Sequence, residues 1–261
     1  MTLPARRRQV TRRVPILLAT VIAAVALSGC AGSASGPAPA ATTTPEPSAT
    51  IIPADAVSGT GSTELGGIEF VIPDGATSVV IAFECSGGGR YAVELGDSMM
   101  LGQAVLQGTC EGKTDLAWPI EDRTEELLLV RISDGVEWSA TPTFSTAPFV
   151  YDEELTADCA TFAEAYSALM NADQGYTLYD AFGEDEWTQR VDDAAADLAA
   201  LAKTADPAIT EGVARLRDLA SDPDRTTGEV LSADAHTAIR SVSQVCDLNQ
   251  SPLILSGEFG G

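Results

Sequence analysis

The spacing of apolar residues along this chain changes once, near Tyr151, from alternation with period two to recurrence every three or four positions. Alternation is typical of β-strands, whereas recurrence at i, i+4 and i+7 is typical of a helix with one buried face. The sequence therefore predicts an α+β fold in two domains, an antiparallel β-sandwich followed by a small four-helix bundle.

The predicted sandwich extends from about Ser58 to Phe149 and contains short runs rich in β-branched, leucine and aromatic residues. These runs cover residues 68–72, 79–84, 91–95, 127–132 and 136–140. Turn sequences such as Pro73-Asp74-Gly75 separate them. Short strands at this spacing, with no helical pattern between them, predict about six to eight antiparallel strands.

Four amphipathic helices are predicted after Tyr151. The first follows the acidic residues 152–154 and has an apolar stripe formed by Leu155, Cys159, Phe162, Tyr166 and Leu169. The second covers about 184–203, the third begins at Pro207, and the fourth has a stripe formed by Ala235, Ile239, Val242 and Cys246. Connections are expected at 171–180, 205–206 and 221–228.

The first 13 residues contain five arginines and no acidic residue. Residues 14–27 that follow are apolar except for Thr20. This apolar segment is shorter than the roughly 20 residues that a membrane-spanning helix needs. A basic segment followed by a short apolar core predicts a signal peptide.

Leu27-Ser28-Gly29-Cys30 closes the apolar core and resembles the lipobox of bacterial lipoproteins. This resemblance covers residues 1–30 only. It implies that Cys30 receives a thioether-linked diacylglycerol, that residues 1–29 are removed and that Cys30 becomes the mature N-terminus; the alternative is an ordinary secretory signal with an incidental cysteine. Two acyl chains give stable membrane anchoring. The expected location is the cell membrane, with the protein body on the extracytoplasmic side.

Residues 30–57 are rich in Ala, Pro, Ser and Thr, and their first two-thirds contain no aromatic or large aliphatic residue. Such a segment buries too little surface to offset its conformational entropy, so we expect a disordered tether. The sandwich is then expected at 58–150, the helical bundle at 151–250 and a C-terminal tail at 251–261. The apolar residues 253–255 of the tail are expected to pack back on a domain.

The chain carries 15 basic and 38 acidic residues, a formal net charge of −23. Removal of the five signal-peptide arginines leaves 10 basic residues and a formal charge of −28. Binding to nucleic acid depends on positive charge that displaces counterions, so no nucleic-acid partner is expected. The predicted partners are the membrane, through the lipid on Cys30, and an unknown envelope ligand or protein.

Four cysteines remain once Cys30 is assigned to lipid, and an even number in an exported protein predicts disulfides. Three pairings are possible. Cys85–Cys110 and Cys159–Cys246 are expected, because each pair then lies within one predicted domain. A zinc site is the rival interpretation, but the chain has no Cys-x-x-Cys and its one histidine is not at ligand spacing from a cysteine. We predict no metal and no cofactor.

Gly96-Asp97-Ser98-Met99 resembles the nucleophile block of the GDSL esterases and lipases, which would make Ser98 a nucleophile. That family also has an Asn block and a closing Asp-x-x-His, whereas this chain has Asp234-Ala235-His236. A simple turn at Gly96-Asp97 is the alternative. His236, whose ordinary pKa is near neutral, is the default candidate for acid–base chemistry. A histidine at the boundary of a helix stripe is its alternative interpretation.

Two further patterns have both a functional and a structural interpretation. Residues 222–228 resemble a calcium loop, but position 12 is Ala233 where an EF-hand has a bidentate Glu, so a capped turn between helices is expected. Trp118 and Trp138 would suit a sugar-stacking platform if they were exposed. Trp138 lies in a strand-like run and is expected to point into the core, whereas the sequence leaves the position of Trp118 open.

These features favour a membrane-anchored extracytoplasmic lipoprotein that acts as a non-catalytic binding or accessory module of the cell envelope. Two alternatives remain open from the sequence. One is an extracytoplasmic hydrolase that uses Ser98 or a carboxylate pair. The other is a structural envelope lipoprotein whose acidic bundle contacts another envelope protein.

Overall fold

Two antiparallel sheets precede four helices along the chain, which confirms the predicted α+β fold with a sheet-rich part and a helical part. The computed structural model describes residues 49–261 except 65, 97–102, 121–123 and 260–261. Both parts belong to the same compact unit.

The strands of the sheet part are short and entirely antiparallel. They are β1 Ile51–Pro53, β2 Val57–Thr60, β3 Ile68–Val71, β4 Ser78–Cys85, β5 Arg90–Leu95, β6 Leu106–Thr109, β7 Gly112–Pro119, β8 Glu125–Ile132 and β9 Glu137–Ser145. One sheet has the order β1-β9-β4-β7, with β2 also paired to β9. The other has the order β3-β8-β5-β6.

The inward side chains of the two sheets form one hydrophobic core. Phe83 and Trp138 of the first sheet stack with ring centroids 6.0 Å apart, and Phe83 also contacts Tyr91 of the second sheet at 4.8 Å. The alternating burial of β4 and β9 explains the period of two in the sequence, because one face of each strand covers this core. The sheets therefore pack as a sandwich.

Four strands, β1, β2, β6 and β7, were not predicted from the sequence. β1 lies within the segment expected to be a tether. It forms a strand because Ile51 and Ile52 pair with Ser145 and Phe144 of β9. β6 and β7 escaped detection because the exposed ends of these strands are polar or glycine and show no alternation. Tertiary pairing selects these strands in spite of their weak local pattern.

The helices are α1 Glu153–Thr177, α2 Glu184–Leu201, α3 Pro207–Ala220 and α4 Ala233–Leu248. Asp152, Asp206 and Ser232 cap the first residues of α1, α3 and α4 by accepting a hydrogen bond from a backbone N–H. The predicted apolar stripes are buried in one common core. The loop expected at 171–180 is wrong in its first part, because α1 continues to Thr177.

Two disulfides close the two parts, with the pairing predicted from the sequence. Cys85–Cys110 joins the end of β4 to the residue after β6 and so links the two sheets. Cys159–Cys246 joins α1 to α4, the first helix to the last.

The helical part is connected to the sandwich through Gln250. Its Oε1 accepts a hydrogen bond from Ala104 N at 2.9 Å, and its Nε2 donates to Ala117 O at 2.9 Å. Ser251 N donates to Cys246 O at 2.9 Å, which closes the end of α4 as a Schellman motif. Gln250 has φ +55° at the position where such a motif usually has glycine. Its side chain explains the exception, because glycine has no group that could reach the sheet.

Candidate functional site

Two of the residues singled out from the sequence, Cys30 and Ser98, lie outside the described residues. Their predicted roles as a lipidation site and a nucleophile stay predictions. The four remaining cysteines are each joined in a disulfide, so none of them is a free thiol.

His236 lies exposed in the first turn of α4. Its Nδ1 is 2.9 Å from Ser232 O, four residues earlier on the same helix. Within the described part of the chain, this is the hydrogen bond that the ring makes. A catalytic histidine is usually oriented by a carboxylate or carbonyl and faces a nucleophile. The described contacts of His236 include an orienting carbonyl, Ser232 O, but no nucleophile.

Residues 222–228 form a turn between α3 and α4. Asp222 Oδ1 accepts a hydrogen bond from Asp224 N at 2.8 Å, which is the geometry of an Asp-capped turn. Among the described residues, no group of three or more His, Cys, Asp or Glu side chains is arranged to hold a metal ion.

Both candidate stacking tryptophans are buried. Trp118 is in the sandwich core and its Nε1 donates to Ala104 O at 3.1 Å, whereas Trp138 Nε1 donates to Gly61 O at 2.9 Å. The burial of Trp138 was predicted. Neither indole face is available to a sugar, so the aromatic residues of these strands serve the core.

The C-terminal tail, residues 251–259, runs in an extended conformation along α1. Ser251 Oγ contacts Thr156 Oγ1 at 2.8 Å, and Ser256 N donates to Ser167 Oγ at 3.0 Å. Eleven helical positions rise about 16 Å. Five tail residues cover that distance only at about 3.3 Å each, the rise of a β-strand. The tail is thus as extended as a strand between these anchors.

Buried polar side chains of α1 hold the far end of this tail. Asn171 Nδ2 donates to Ser256 O at 2.8 Å, and Asn171 Oδ1 accepts from Glu258 N at 2.8 Å. Ser167 and Asn171 are four positions apart, on one face of α1. Each is buried; the Asn171 amide bonds the tail with both of its polar atoms, whereas the Ser167 hydroxyl accepts from the tail and donates to Ala163 O of α1. The two residues therefore form a clamp for an otherwise irregular segment.

A cleft with a cavity volume of about 500 Å³ lies between the tail and α1. We call it the tail groove; Thr156, Ala160 and Glu164 of α1 line one side, and Pro252, Ile254 and Ser256 of the tail line the other. Its lining is mostly apolar, and its volume is in the range of ligand-binding clefts. Ile254 is 76% exposed at the edge of the groove.

The tail groove continues into a second cleft between α1 and α2, which shares Glu164, Ile254 and Ser256 with it. Asp193 and Asp197 of α2 line this second cleft. Two like charges four positions apart on one helix weaken that helix by a few tenths of a kcal/mol. The combined surface is apolar at one end and anionic at the other.

The basic residue of the second cleft, Arg190, is already paired. Its guanidinium contacts Glu258 at 2.7 Å and Glu186 at 3.0 Å, and it lies over the ring of Phe182. The hydrogen bond to Glu258 raises the pKa of Arg190, so the charge of this side chain is used in fixing the tail. It does not neutralise Asp193 or Asp197 within the described contacts.

Asp247, in the last turn of α4, is an acidic residue in an unusual environment. It is buried, and its Oδ2 accepts a hydrogen bond from Ser243 Oγ at 3.3 Å. Burial raises the pKa of Asp247 to about 6, and the hydrogen bond from Ser243 opposes that change. This carboxyl group therefore gains or loses its proton near neutral pH.

Sequence reasoning missed the tail groove because its parts are individually unremarkable. The sequence of the tail has no helix or strand pattern. Asparagine as a residue type favours helix ends and turns, so Asn171 by itself predicts the end of a helix and not a buried clamp. The one available signal was the spacing of Ser167 and Asn171, which places two polar residues on one face of a predicted helix.

No family model matches this chain, and no curated protein matches it. Among the described residues, no helix is both long enough and apolar enough to cross a bilayer.

Proposed function

We propose that this protein is a membrane-anchored extracytoplasmic lipoprotein that acts as a non-catalytic binding module of the cell envelope, with the tail groove as its binding site. The observation that carries the binding role is the apolar cleft between α1 and the extended tail.

The basic N-terminal segment, the short apolar core and the cysteine that ends it support the anchored location. The two disulfides support an oxidising compartment, because such bonds are rare where glutathione keeps thiols reduced. The acidic body supports anchoring by acyl chains rather than by the protein surface, since anionic lipid repels negative charge.

The groove supports binding because of how it is built. Its walls are a long helix and a tail that is fixed on both sides of the cleft, through Ser251 and through Ser256. A cleft held open by such clamps is pre-organised, so a ligand does not have to order it on binding. Burial of Ile254 by a ligand would also remove an exposed apolar surface from water.

The anchor is tested by growing cells with an alkyne analogue of palmitate and comparing the parent with Cys30→Ala. The parent is expected to incorporate the label and to sediment with membranes. Cys30→Ala is expected to lose the label while keeping both disulfides. Equal labelling of the two proteins would contradict lipidation at Cys30.

The binding role is tested by a thermal-shift screen against calcium, EDTA, cell-wall fragments, glycans and peptides. A ligand of the native state stabilises it by roughly 2.7 kcal/mol at a hundredfold excess over Kd and so raises the unfolding midpoint. Every hit is repeated on Ala160→Phe, which fills the tail groove, and on Ala157→Phe, a matched exposed position of α1 outside it. A hit lost only in Ala160→Phe supports the groove, whereas no groove-dependent hit contradicts the proposed binding site.

A further inference from the structure

The tail beside the groove has backbone groups with no partner. Between the anchors at Ser251 and Ser256, the N–H groups of Leu253, Ile254 and Leu255 make no hydrogen bond to any described residue. In an extended segment successive N–H groups point to opposite sides, so a second extended chain can pair either with those of Leu253 and Leu255 or with that of Ile254. An extended peptide is thus the occupant that uses both the groove and its edge.

Side chains of such a peptide would alternate between two directions. One set would point into the apolar tail groove, next to Ala160 and Ile254. The other set would face outward. A peptide with apolar residues at every second position would therefore fill the cleft with apolar side chains and present polar side chains to water.

The negative charge at the end of the groove favours basic residues at the polar positions of that peptide. Glu164, Asp193 and Asp197 are exposed and form no ion pair with any described cation. The guanidinium of Arg190 is engaged by Glu186 and Glu258. Basic side chains of a ligand would therefore meet three uncompensated carboxylates, and acidic side chains would be repelled.

We propose that the tail groove binds an extended, basic segment of a partner protein, which pairs with the backbone of residues 253–255 and places alternate apolar side chains in the groove. This inference rests on the proposed function, because it names the class of partner for the same site. The backbone pairing gives affinity, whereas the apolar pockets and the carboxylates give selectivity.

The test is a fluorescence-anisotropy titration of the membrane-purified chain in nanodiscs of zwitterionic lipid. The probe is the labelled peptide Lys-Leu-Lys-Leu-Lys-Leu-Lys. Three comparison peptides remove one property each: Glu replaces Lys, Ser replaces Leu, or N-methyl-leucine replaces Leu and blocks backbone pairing. We expect the Lys-Leu peptide to bind more tightly than all three comparison peptides.

Variants then locate the site. Ala160→Phe is expected to weaken binding of the Lys-Leu peptide about tenfold or more by filling the groove. The matched substitution Ala157→Phe is expected to leave it unchanged. Glu164→Gln is expected to weaken binding about two- to fivefold, as for one exposed ion pair. Asp74→Asn removes one carboxylate from a turn of the sandwich and is expected to have no comparable effect.

The outcomes separate this inference from the proposed function. Equal effects of Ala160→Phe and Ala157→Phe on the Lys-Leu peptide would overturn the inference. Groove-dependent binding that is equally tight for the Glu peptide or the N-methylated peptide would also overturn it, while the groove would remain a binding site. Failure of every peptide, together with no groove-dependent hit in the ligand screen, would overturn both.

Discussion

The sheet part and the helical part of this protein use their polar groups in different ways. In the sandwich, the segments between strands are held by side chains that bond across the sheet, as Ser62 does with Ile132 and Trp138 with Gly61. In the helical part, buried side chains of α1 hold a segment that belongs to no helix or strand, as Asn171 does with Ser256 and Glu258. The edges of the sandwich are regular strands such as β3 and β6, whereas the helical part keeps an irregular and partly unpaired tail at its surface.

This difference suggests where function resides. Clamping a tail with buried amide and hydroxyl groups orders it without covering its backbone, and leaves a cleft beside it. A core built only from apolar contacts would have no reason to bury Ser167 and Asn171. The clamped tail and the cleft beside it are the features of the helical part on which the proposed binding role rests.

The largest expected difference between the parts comes from their disulfides. The chain-entropy estimate gives about 4.6 kcal/mol for the longer loop closed by Cys159–Cys246 and about 3.5 kcal/mol for the loop closed by Cys85–Cys110. We expect Cys159→Ala with Cys246→Ala to lower the free energy of unfolding more than Cys85→Ala with Cys110→Ala. Urea unfolding of both double variants measures this, and the opposite order would show that the sandwich depends more on its crosslink.

The junction at Gln250 gives the next largest effect. Gln250→Ala leaves Ala104 N and Ala117 O without their partner, at an expected cost of about 2–4 kcal/mol. Gln250→Gly loses the same bonds but relieves the positive φ, so it is expected to be about 1 kcal/mol more stable than Gln250→Ala. Urea midpoints of the two variants test this order. If Gly is no better than Ala, the backbone of residue 250 is not strained.

Gly175 shows how closely the tail is packed on α1. A Cβ at this position would lie 2.5 Å from the ring of Phe182 and 2.8 Å from the ring of Phe259. Alanine favours a helix by about 1 kcal/mol over glycine, but overpacking costs about 1–3 kcal/mol. We expect Gly175→Ala to lower stability by the difference, up to about 2 kcal/mol.

The control for Gly175 is Gly257→Ala in the tail, because a Cβ there would meet only Phe259 O at 3.7 Å. Its unfolding midpoint should be close to that of the parent. An increase in the stability of Gly175→Ala would mean that helix propensity outweighs the contact with the tail, and the tail would then be only loosely held.

The smallest expected effect concerns the pH dependence of Asp247. Its pKa of about 6 in the folded chain exceeds that in the unfolded chain, about 3.9. The stability contributed by its protonated form is therefore complete below about pH 4 and is lost as the pH rises through about 6. A pKa difference of about two corresponds to at most about 3 kcal/mol, and solvent screening lowers this value, so Asp247→Asn is expected to be about 1 kcal/mol more stable than the parent at pH 7 and equal to it at pH 3.

Chemical unfolding at the two pH values checks this prediction. Asp74→Asn serves as the control, because Asp74 is exposed and its replacement leaves the buried carboxyl group in place. A parent that is more stable than Asp247→Asn at pH 7 would show that the charged form of Asp247 has a stabilising partner.

Much of the fold follows from local patterns. The stripe of Leu155, Cys159 and Phe162 identifies α1, and the alternation in residues 79–84 identifies β4, because each pattern reflects one buried face. The strands β1 and β7 could not be predicted in this way, since their pairing with distant strands selects them. The disulfide pairing was predicted only from the fact that each pair of cysteines lies within one predicted domain.

The candidate site was far less predictable than the fold. The tail groove depends on contacts between residues about 90 positions apart, such as Ser167 with Ser256. Residues 253–255 form no periodic pattern, so the sequence predicts only that they pack back on a domain; Leu253 does pack against the helical core, whereas Ile254 and Leu255 are exposed. Their extended conformation follows from the distance between two anchors on α1, which no local pattern contains.

Hydrogen exchange tests most directly the claim that the tail is an open edge for a partner. Amides of residues 253–255 are expected to exchange quickly in the free chain, and those that face the peptide, Leu253 and Leu255 or else Ile254, are expected to exchange at least tenfold more slowly with saturating Lys-Leu-Lys-Leu-Lys-Leu-Lys peptide. The edge strand β3, Ile68–Val71, serves as the internal comparison in the sandwich and is expected to be unchanged. Protection of β3 in place of the tail, or no change at residues 253–255, would contradict the account.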